Sequence, residues 1–280
     1  MVQLYAIKIS ESLIPIFFRN LIKIRKELKQ NKQHKKALFL KANWDNIIMA
    51  NYEIDPEILI PFLPKGVELD LFNGKCYVSL VGFMFKNTKL FNVPIPFFGN
   101  FEEINLRFYV KRTEENSIIK RGVVFINETI PYPIVAWVAN KLYNEHYTVV
   151  PTKHEISIEK SSKKVKFEWL LNKKWNSIAI TTATSSEKMK RHSLESFIYE
   201  HYFGYTITAD NKTEEYKLLH PSWKISQVLN YQIECDFEAM YGKSFSVLNQ
   251  TKPEAVFIAD GSAVGIEWKR TKIKLDYERC

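Results

Sequence analysis

Along residues 100 to 110, NFEEINLRFYV, apolar and polar positions alternate. Ile104, Leu106, Phe108 and Val110 point one way and Glu103, Asn105, Arg107 and Tyr109 the other, as a β-strand requires. The same texture fills most of the chain from Ala37 onward. ELDLF, the turn Asn73-Gly74 and KCYVSLVGFMF read as a hairpin, since Asn-Gly is the preferred type I′ pair. In the second arm Tyr77, Val78, Leu80, Val81, Phe83, Met84 and Phe85 are apolar on both faces, so that strand is expected to be covered on both sides.

IIKRGVVFINETI follows the polar turn RTEENS as the next strand. TKHEISIEK, KVKFEWLL, NSIAITTAT, GYTITAD, EEYKLLH and WKISQVLNYQIE extend the series. AVFIAD and SAVGIEWKR close it, with a turn expected at Asp260-Gly261. Short helices interrupt the strands. Asp55, Pro56 and Glu57 form a helix start. IVAWVANKLYN places Ile134, Trp137, Val138 and Leu142 on one face, SLESFIYEHYF starts at the N-cap Ser193 and is expected to run to Gly204, and DFEAMYG forms a last short helix. About ten strands with short connections predict a mainly antiparallel α+β fold.

The first segment has a different period. In SLIPIFFRNLIKIRKELKQ the residues Phe17, Leu21, Ile24 and Leu28 share a helical face, and KQNKQHKK then reads as a linker. The expected organisation is a basic amphipathic helix and linker over residues 1–36 and one domain over 37–280. Charge follows that division. The chain carries a net charge of +9, of which residues 1–36, with nine Lys or Arg against Glu11 and Glu27, hold +7. The near-neutral body argues against a nucleic-acid partner, which would need a basic stripe with interleaved aromatics on the folded domain. The basic helix fits weak contact with a membrane surface.

Composition narrows the chemistry. With 19 Phe, 14 Tyr and 6 Trp against 9 Gly, large side chains are available to fill an enclosed interior. Three distant cysteines form no CxxC, no run reaches the roughly 18 apolar residues of a spanning helix, and no signal peptide is evident; a cytoplasmic protein is expected. GxGxxG, Walker, GxSxG and HExxH patterns are missing, so no cofactor and no metal are expected.

What remains is a set of polar residues among aromatic strands. Glu103, Asn105 and Arg107 share a face at steps of about 7 Å, which suits either a solvated edge or one end of a binding cavity. Lys120 and Arg121 are adjacent cations, and a neighbouring positive charge lowers a lysine pKa and favours Schiff-base formation. Glu128 ends the same strand. His201, Tyr205 and His220 stand among aromatics in YEHYFGY and YKLLHPSW, and a histidine there suits proton transfer or a structural hydrogen bond.

ANWDNIIMANYEIDPEILIPFLPKGVELD, NGKCYVSLVGFMF, VPIPF, NFEEINLRFYV and KRGVVFINE, with LYNEHY, SLESFIYEHYFGYT, LLHPSWKI and AVFIADGS, resemble the YqjF-like uncharacterised family from Ala37 to about Trp268. That family looks like a distant relative of acetoacetate decarboxylase through NYEIDPEILIPFLP and the acid of NFEEINL. The resemblance implies a closed or cone-like antiparallel β-barrel enclosing an apolar cavity. In those decarboxylases a lysine followed by a second lysine forms the Schiff base; here Lys120-Arg121 stands in a comparable strand region. Their arginine before the DPE-like turn has no counterpart near Asn43 and Asp45.

Three readings follow. The first is a protein holding a small organic molecule, in particular a carboxylate, with Glu103, Asn105 and Arg107 as the polar pole and Tyr109, Glu128, His201, Tyr205 and His220 as further ligand contacts. The second is a Schiff-base decarboxylase or related lyase with Lys120, Arg121 and Glu103 as its catalytic group. The third is a non-catalytic membrane-associated protein acting through its first helix. Homo-oligomerisation is compatible with all three.

Overall fold

The computed structural model describes Arg19 and residues 38–95, 97–133, 135–136 and 147–273. Apart from Arg19, Pro133, Val135 and Ala136, the helix and linker expected over 1–36 and the helix expected over 134–144 lie outside the described residues. The strands are β1 (Leu38–Glu53), β2 (Glu68–Leu69), β3 (Tyr77–Leu90), β4 (Val93–Pro94), β5 (Phe101–Thr113), β6 (Ile119–Ile130), β7 (Tyr147–Val149) and β8 (Thr152–Ile158). They continue as β9 (Ser162–Leu171), β10 (Lys174–Lys188), β11 (Phe203–Ile207), β12 (Thr213–Leu219), β13 (Lys224–Glu234), β14 (Ala255–Glu267) and β15 (Thr271–Lys272). Among the described residues the α-helices are α1 (Pro56–Leu59), α2 (Leu194–Tyr199) and α3 (Phe237–Tyr241). Pieces of two or three residues such as β2, β4, β7 and β15 carry no readable period, which is why the pattern distinguishes fewer strands.

The sheet closes on itself. β6, β5, β3, β1 and β14 are neighbours in that order, β14 pairs with β12, β12 with β11, and β11 with β6. Beyond β14 the sheet runs on through β13, β10, β9 and β8. The β6–β7 and β6–β11 pairs are parallel and the other pairs between these strands are antiparallel. The result is the expected α+β fold, an irregular closed barrel of mainly antiparallel strands with a few short helices.

Two cores flank the wall made by β3 and β5. Outside it, Leu80, Leu106 and Phe108 pack with Phe167 and Trp169 of β9 and Ile178 of β10. Inside it, Val81, Phe83, Phe85 and Tyr109 pack with Met49 of β1 and Phe197 of α2. Thr152 of β8 ties the outer sheet to the wall by donating its hydroxyl to the Glu102 carboxylate at 2.6 Å. Both faces of β3 are therefore covered, and β5 is buried without interruption from Phe101 to Val110.

Local signals account for the helix starts. Asp55 caps α1 by accepting from the Glu57 amide at 3.0 Å, and Ser193 caps α2 by accepting from the Ser196 amide at 3.3 Å. Three expectations change. Helix α2 ends at Tyr199 rather than at Gly204, because Gly204 already belongs to β11, where a Cβ would stand 2.1 Å from the Tyr216 ring. The Asn73-Gly74 turn is present with φ of 50° and 80°, but only Phe72 and Lys75 bridge across it, while β2 pairs with β5. No hairpin turn occurs at Asp260-Gly261: β14 runs through it, paired with β1 on both sides.

Gly261 explains that continuity. Its φ is +85°, and a Cβ on it would lie 2.1 Å from the carbonyl oxygen of Trp44 on β1. Asn46 of β1 shares the kink with φ of 56°. Only glycine admits this backbone approach without strain. Gly261→Ala is expected to destabilise the protein by about 2 to 3 kcal/mol, the sum of a left-handed φ and a forced displacement of β1. A fall in the urea midpoint without a change in its slope would register it; an unchanged midpoint would mean that the kink is not constrained by this contact.

Candidate functional site

The alternation of β5 decides which of its side chains turn inward. Glu103, Asn105 and Arg107 face the interior and line a cavity of about 90 Å3. Their relative exposures of 3%, 2% and 8% mean that water does not solvate this row. Neighbouring strands complete the wall by register. Val81 and Phe83 of β3 stand opposite Asn105 and Glu103, and Glu128 of β6 stands opposite Asn105. A register slip on β6 at Ile126, between Phe125 and Asn127, lets both Phe125 and Glu128 line the cavity although they are three residues apart.

Aromatic contacts stiffen the apolar side. Trp44 of β1 meets Phe83 with ring centroids 4.8 Å apart, and Phe85 stacks on Phe101 at 4.8 Å. A smaller apolar space of about 50 Å3, reached past Phe85, Glu103 and Tyr147, extends between Leu90, Ile95 and Phe101. The site thus has a polar end and an apolar end.

At the polar end, Asn105 donates to the Glu103 carboxylate at 3.0 Å, and the Tyr147 hydroxyl donates to Glu128 at 2.8 Å and, weakly, to Glu103 at 3.5 Å. Arg107 has no ion-pair partner among the described residues. Its Nη2 donates to the Ile198 carbonyl at 3.3 Å and to Met49 Sδ at 3.4 Å, its guanidinium lies 5.6 Å from the Tyr109 ring centre, and its Nε–H meets no acceptor among the described residues. Other cavity residues also hold buried polar atoms that meet no partner among the described residues: Trp44 Nε1, Asn105 Oδ1 and His201 Nδ1. Such atoms are uncommon in folded interiors, and here two donors and two acceptors belong to residues that line one cavity.

His201 enters from the turn after α2, in the motif YEHYF. Its ring packs on Tyr109 and Phe197, with centroids 4.8 and 5.1 Å away, and its Nε2 lies 3.2 Å from Asp70 Oδ2. Asp70 also accepts from Arg121 Nε at 2.6 Å. Burial works to raise the Asp70 pKa, but the bonds from His201 and Arg121 prevail and hold it below the ordinary 3.8. An ionised Asp70 requires the Nε2–H tautomer of His201, leaving Nδ1 as a lone-pair acceptor. Burial pushes the His201 pKa down to about 4 against the opposing pull of Asp70, so the ring is neutral near pH 7.

The remaining candidates from the sequence fall elsewhere. Tyr109 continues the inner row, but its hydroxyl joins Ser79 at 2.6 Å and, through it, Asn51. Arg121 is outside the cavity and linked to it through Asp70. Lys120 does not line the cavity; its ammonium sits 2.6 Å from Glu114 and 2.7 Å from Glu215. Burial works to lower the Lys120 pKa, but those two carboxylates outweigh it and raise the pKa above its ordinary value. Tyr205 joins that cluster, donating to Glu215 at 3.2 Å. His220 is stacked between Tyr202 and Trp223 and donates to the Pro221 carbonyl at 2.8 Å, away from the cavity.

Sequence reading missed Asp70, Trp44 and Met49. Tyr147 belongs to LYNEHY, a motif carried by the family resemblance, yet nothing in its spacing marks it. No cluster of three metal-ligating side chains occurs among the described residues.

Residues 41–263 match the sequence model of DUF2071, described as an uncharacterized conserved protein, and the chain belongs to that family. The uncharacterized protein YqjF of Bacillus subtilis (strain 168) is 25% identical over 193 residues, 66% of this chain and 74% of that protein. Among solved structures, acetoacetate decarboxylase from Legionella pneumophila subsp. pneumophila str. Philadelphia 1 is similar with a TM-score of 0.57 and 10% identity, covering 86% of this chain and 89% of that one. An acetoacetate decarboxylase-like enzyme from Sphingomonas wittichii RW1 gives a TM-score of 0.57 at 9% identity, covering 84% and 93%. The enduracididine biosynthesis enzyme MppR, solved in complex with pyruvate, gives 0.57 at 10%, covering 85% and 91%. The shared feature at such identities is the acetoacetate-decarboxylase-like fold.

The buried imidazole has a consequence for stability. Its folded pKa is lowered from 6.5 to about 4, so between those values the unfolded chain binds the extra proton and stability falls as the solution is acidified. The loss contributed by His201 reaches about 3 kcal/mol near pH 4. Asp70 adds its own loss only below its ordinary 3.8, as its lowered carboxyl is protonated. Urea denaturation from pH 7 to pH 4 should therefore show a steeper decline for the natural protein than for His201→Gln; parallel curves would exclude the buried neutral imidazole.

Proposed function

We propose that the cavity binds a small organic carboxylate, with its anionic end on Arg107 and its apolar end among Phe83, Phe85 and Trp44. The supporting observation is the Arg107 side chain, a guanidinium with 8% residue exposure whose contacts are a carbonyl, a thioether and an aromatic ring. Burying a cation without an anion is costly, and a carboxylate ligand offsets that cost with charge-assisted hydrogen bonds. Glu103 stands four positions, roughly 13 Å, from Arg107 along β5, and its carboxylate accepts from Asn105 and Tyr147. The pyruvate named for MppR makes a 2-oxo acid the natural first probe of this class.

A lysine-dependent lyase mechanism is the competing reading, and the surroundings of Lys120 argue against it. Imine formation needs a neutral amine, and the carboxylates of Glu114 and Glu215 favour the ammonium. Among the described residues no lysine lines the cavity.

Thermal-shift titration with 2-oxobutyrate and with butyrate tests the binding. Both should raise the melting temperature of the natural protein by a few degrees at saturation, as mass action requires. Arg107→Met should weaken binding about 100-fold while keeping a cooperative transition, the scale expected when a charge-assisted pair is removed. An equal shift in both proteins would remove Arg107 from the site. Borohydride treatment with 2-oxobutyrate should leave no adduct on Lys120, and a trapped mass there would restore the imine reading.

A further inference from the structure

We infer that His201, oriented by Asp70, is a general base that moves a proton on a 2-oxo acid bound at Arg107, so that the cavity supports enolisation chemistry. The inference rests on the carboxylate-binding reading and adds a reaction to it. Three observations carry it. His201 and Arg107 lie against the same Tyr109 ring, the first with its ring centroid 4.8 Å away and the second with its guanidinium carbon 5.6 Å away. His201 is among the residues that line the cavity, and its Nε2 edge is occupied by Asp70 at 3.2 Å, which leaves Nδ1, buried and without a partner among the described residues, as the acceptor. Cavity residues Arg107 and Trp44 each hold a buried N–H that also meets no partner.

This set has the composition that removal of a proton beside a carbonyl demands: a positioned acceptor for the proton, a cation for the carboxylate, and a donor for the oxygen on which charge develops. Nδ1 of His201 takes a proton from carbon 3 of the bound 2-oxo acid. The C–H electron pair becomes the C2=C3 bond, and the carbonyl π pair moves to oxygen, where the Arg107 Nε–H donates to it. The imidazolium formed is stabilised by the Asp70 carboxylate. Return of a proton to carbon 3 restores the ketone, so the cycle needs no oxidant, reductant or co-substrate, and in heavy water it replaces hydrogen with deuterium.

The charged and titratable groups around His201 fit this role. Asp70 follows β2, Arg121 comes from β6, and Arg107 and Tyr109 come from β5. The two arginines oppose protonation of the imidazole and Asp70 favours it. A bound carboxylate adds negative charge beside Arg107 and shifts that balance toward proton uptake when substrate is present. Asp70 is a positioning residue: it touches the imidazole and not the substrate.

The test is solvent exchange at carbon 3 of 2-oxobutyrate, followed in heavy water by loss of its methylene proton signal with the full chain present. The natural protein is expected to accelerate exchange in a saturable manner above buffer. His201→Gln should lower that acceleration about 100-fold or more, the usual scale for loss of a general base, while 2-oxobutyrate still shifts its melting temperature. Asp70→Asn should slow exchange and move the acid limb of its pH profile to lower pH, because the bond that favours the imidazolium is gone; a merely structural role would leave that limb in place. Lys120→Ala should exchange like the natural protein.

The outcomes are distinguishable. Binding without exchange in the natural protein overturns the proton-transfer inference and leaves the carboxylate site standing. Undiminished exchange in a folded His201→Gln protein assigns the base elsewhere and also overturns it. If neither 2-oxobutyrate nor butyrate shifts the melting temperature of the natural protein, the binding reading fails first and the inference fails with it. Should His201→Gln not fold, the acid-limb comparison between the natural protein and Asp70→Asn decides the matter.

Discussion

A strand with no wet face carries the rest of this structure. Every residue of β5 from Phe101 to Val110 is buried, because the inner side closes the barrel and the outer side is roofed by the β8–β10 part of the sheet. On the outer side Ile104, Leu106, Phe108 and Val110 pack at no polar cost, and the Glu102 carboxylate accepts from Thr152. On the inner side the chain places Glu103, Asn105 and Arg107, and each must recover indoors what it loses by leaving water. Glu103 recovers part of it from Asn105 and Tyr147. Arg107 finds a carbonyl, a sulfur and a ring, which satisfy part of its geometry but none of its charge.

Helix α2 matters to this balance out of proportion to its six residues. Ser193 starts it, and within one and a half turns it supplies the Ile198 carbonyl that holds Arg107 and the Phe197 ring that packs on Tyr109. The turn after it delivers His201 against the same tyrosine. From there a chain of contacts crosses the wall: His201 to Asp70, and Asp70 to Arg121, whose side chain is 40% exposed. A surface cation and an interior imidazole therefore share one carboxylate. That sharing keeps Asp70 ionised, and an ionised Asp70 fixes which imidazole nitrogen carries the proton.

Much of this wall was legible in the sequence, and the limits have physical causes. Period two identifies residues on one face, so Glu103, Asn105, Arg107 and Tyr109 are correctly grouped; it does not say whether that face meets water. The doubly apolar run of β3 and the family resemblance supplied the missing direction. Asp70 escaped because a single acid in ELDLF has no partner at any local spacing: Arg121 is 51 residues away and His201 is 131. Gly261 was misread for a related reason. A glycine with positive φ suits a hairpin turn and a kink in a long strand equally well, and only the approach of Trp44 on β1 separates them. His220 and Tyr205 share with His201 an aromatic neighbourhood in sequence, yet the chain just past β12 puts His220 in a stack with Tyr202 and Trp223, and β11 sends the Tyr205 hydroxyl to the Glu215 cluster.

Similarity to acetoacetate decarboxylases at about 10% identity extends to the fold. What the barrel supplies is an enclosed interior reached by inward-pointing positions of several strands. Which chemistry that interior hosts depends on the few residues that occupy those positions. An imine-forming lysine is useful only where burial outweighs its negative neighbours, so that the amine sheds its proton. At Lys120 the balance runs the other way, because Glu114 and Glu215 lie within 2.7 Å and raise its pKa. At the inward row the unmatched cation is Arg107, an arginine and thus permanently charged, which suits it to holding an anion and not to attacking a carbonyl. Among the described residues that line this cavity, the unpartnered nitrogen with a lone pair is His201 Nδ1.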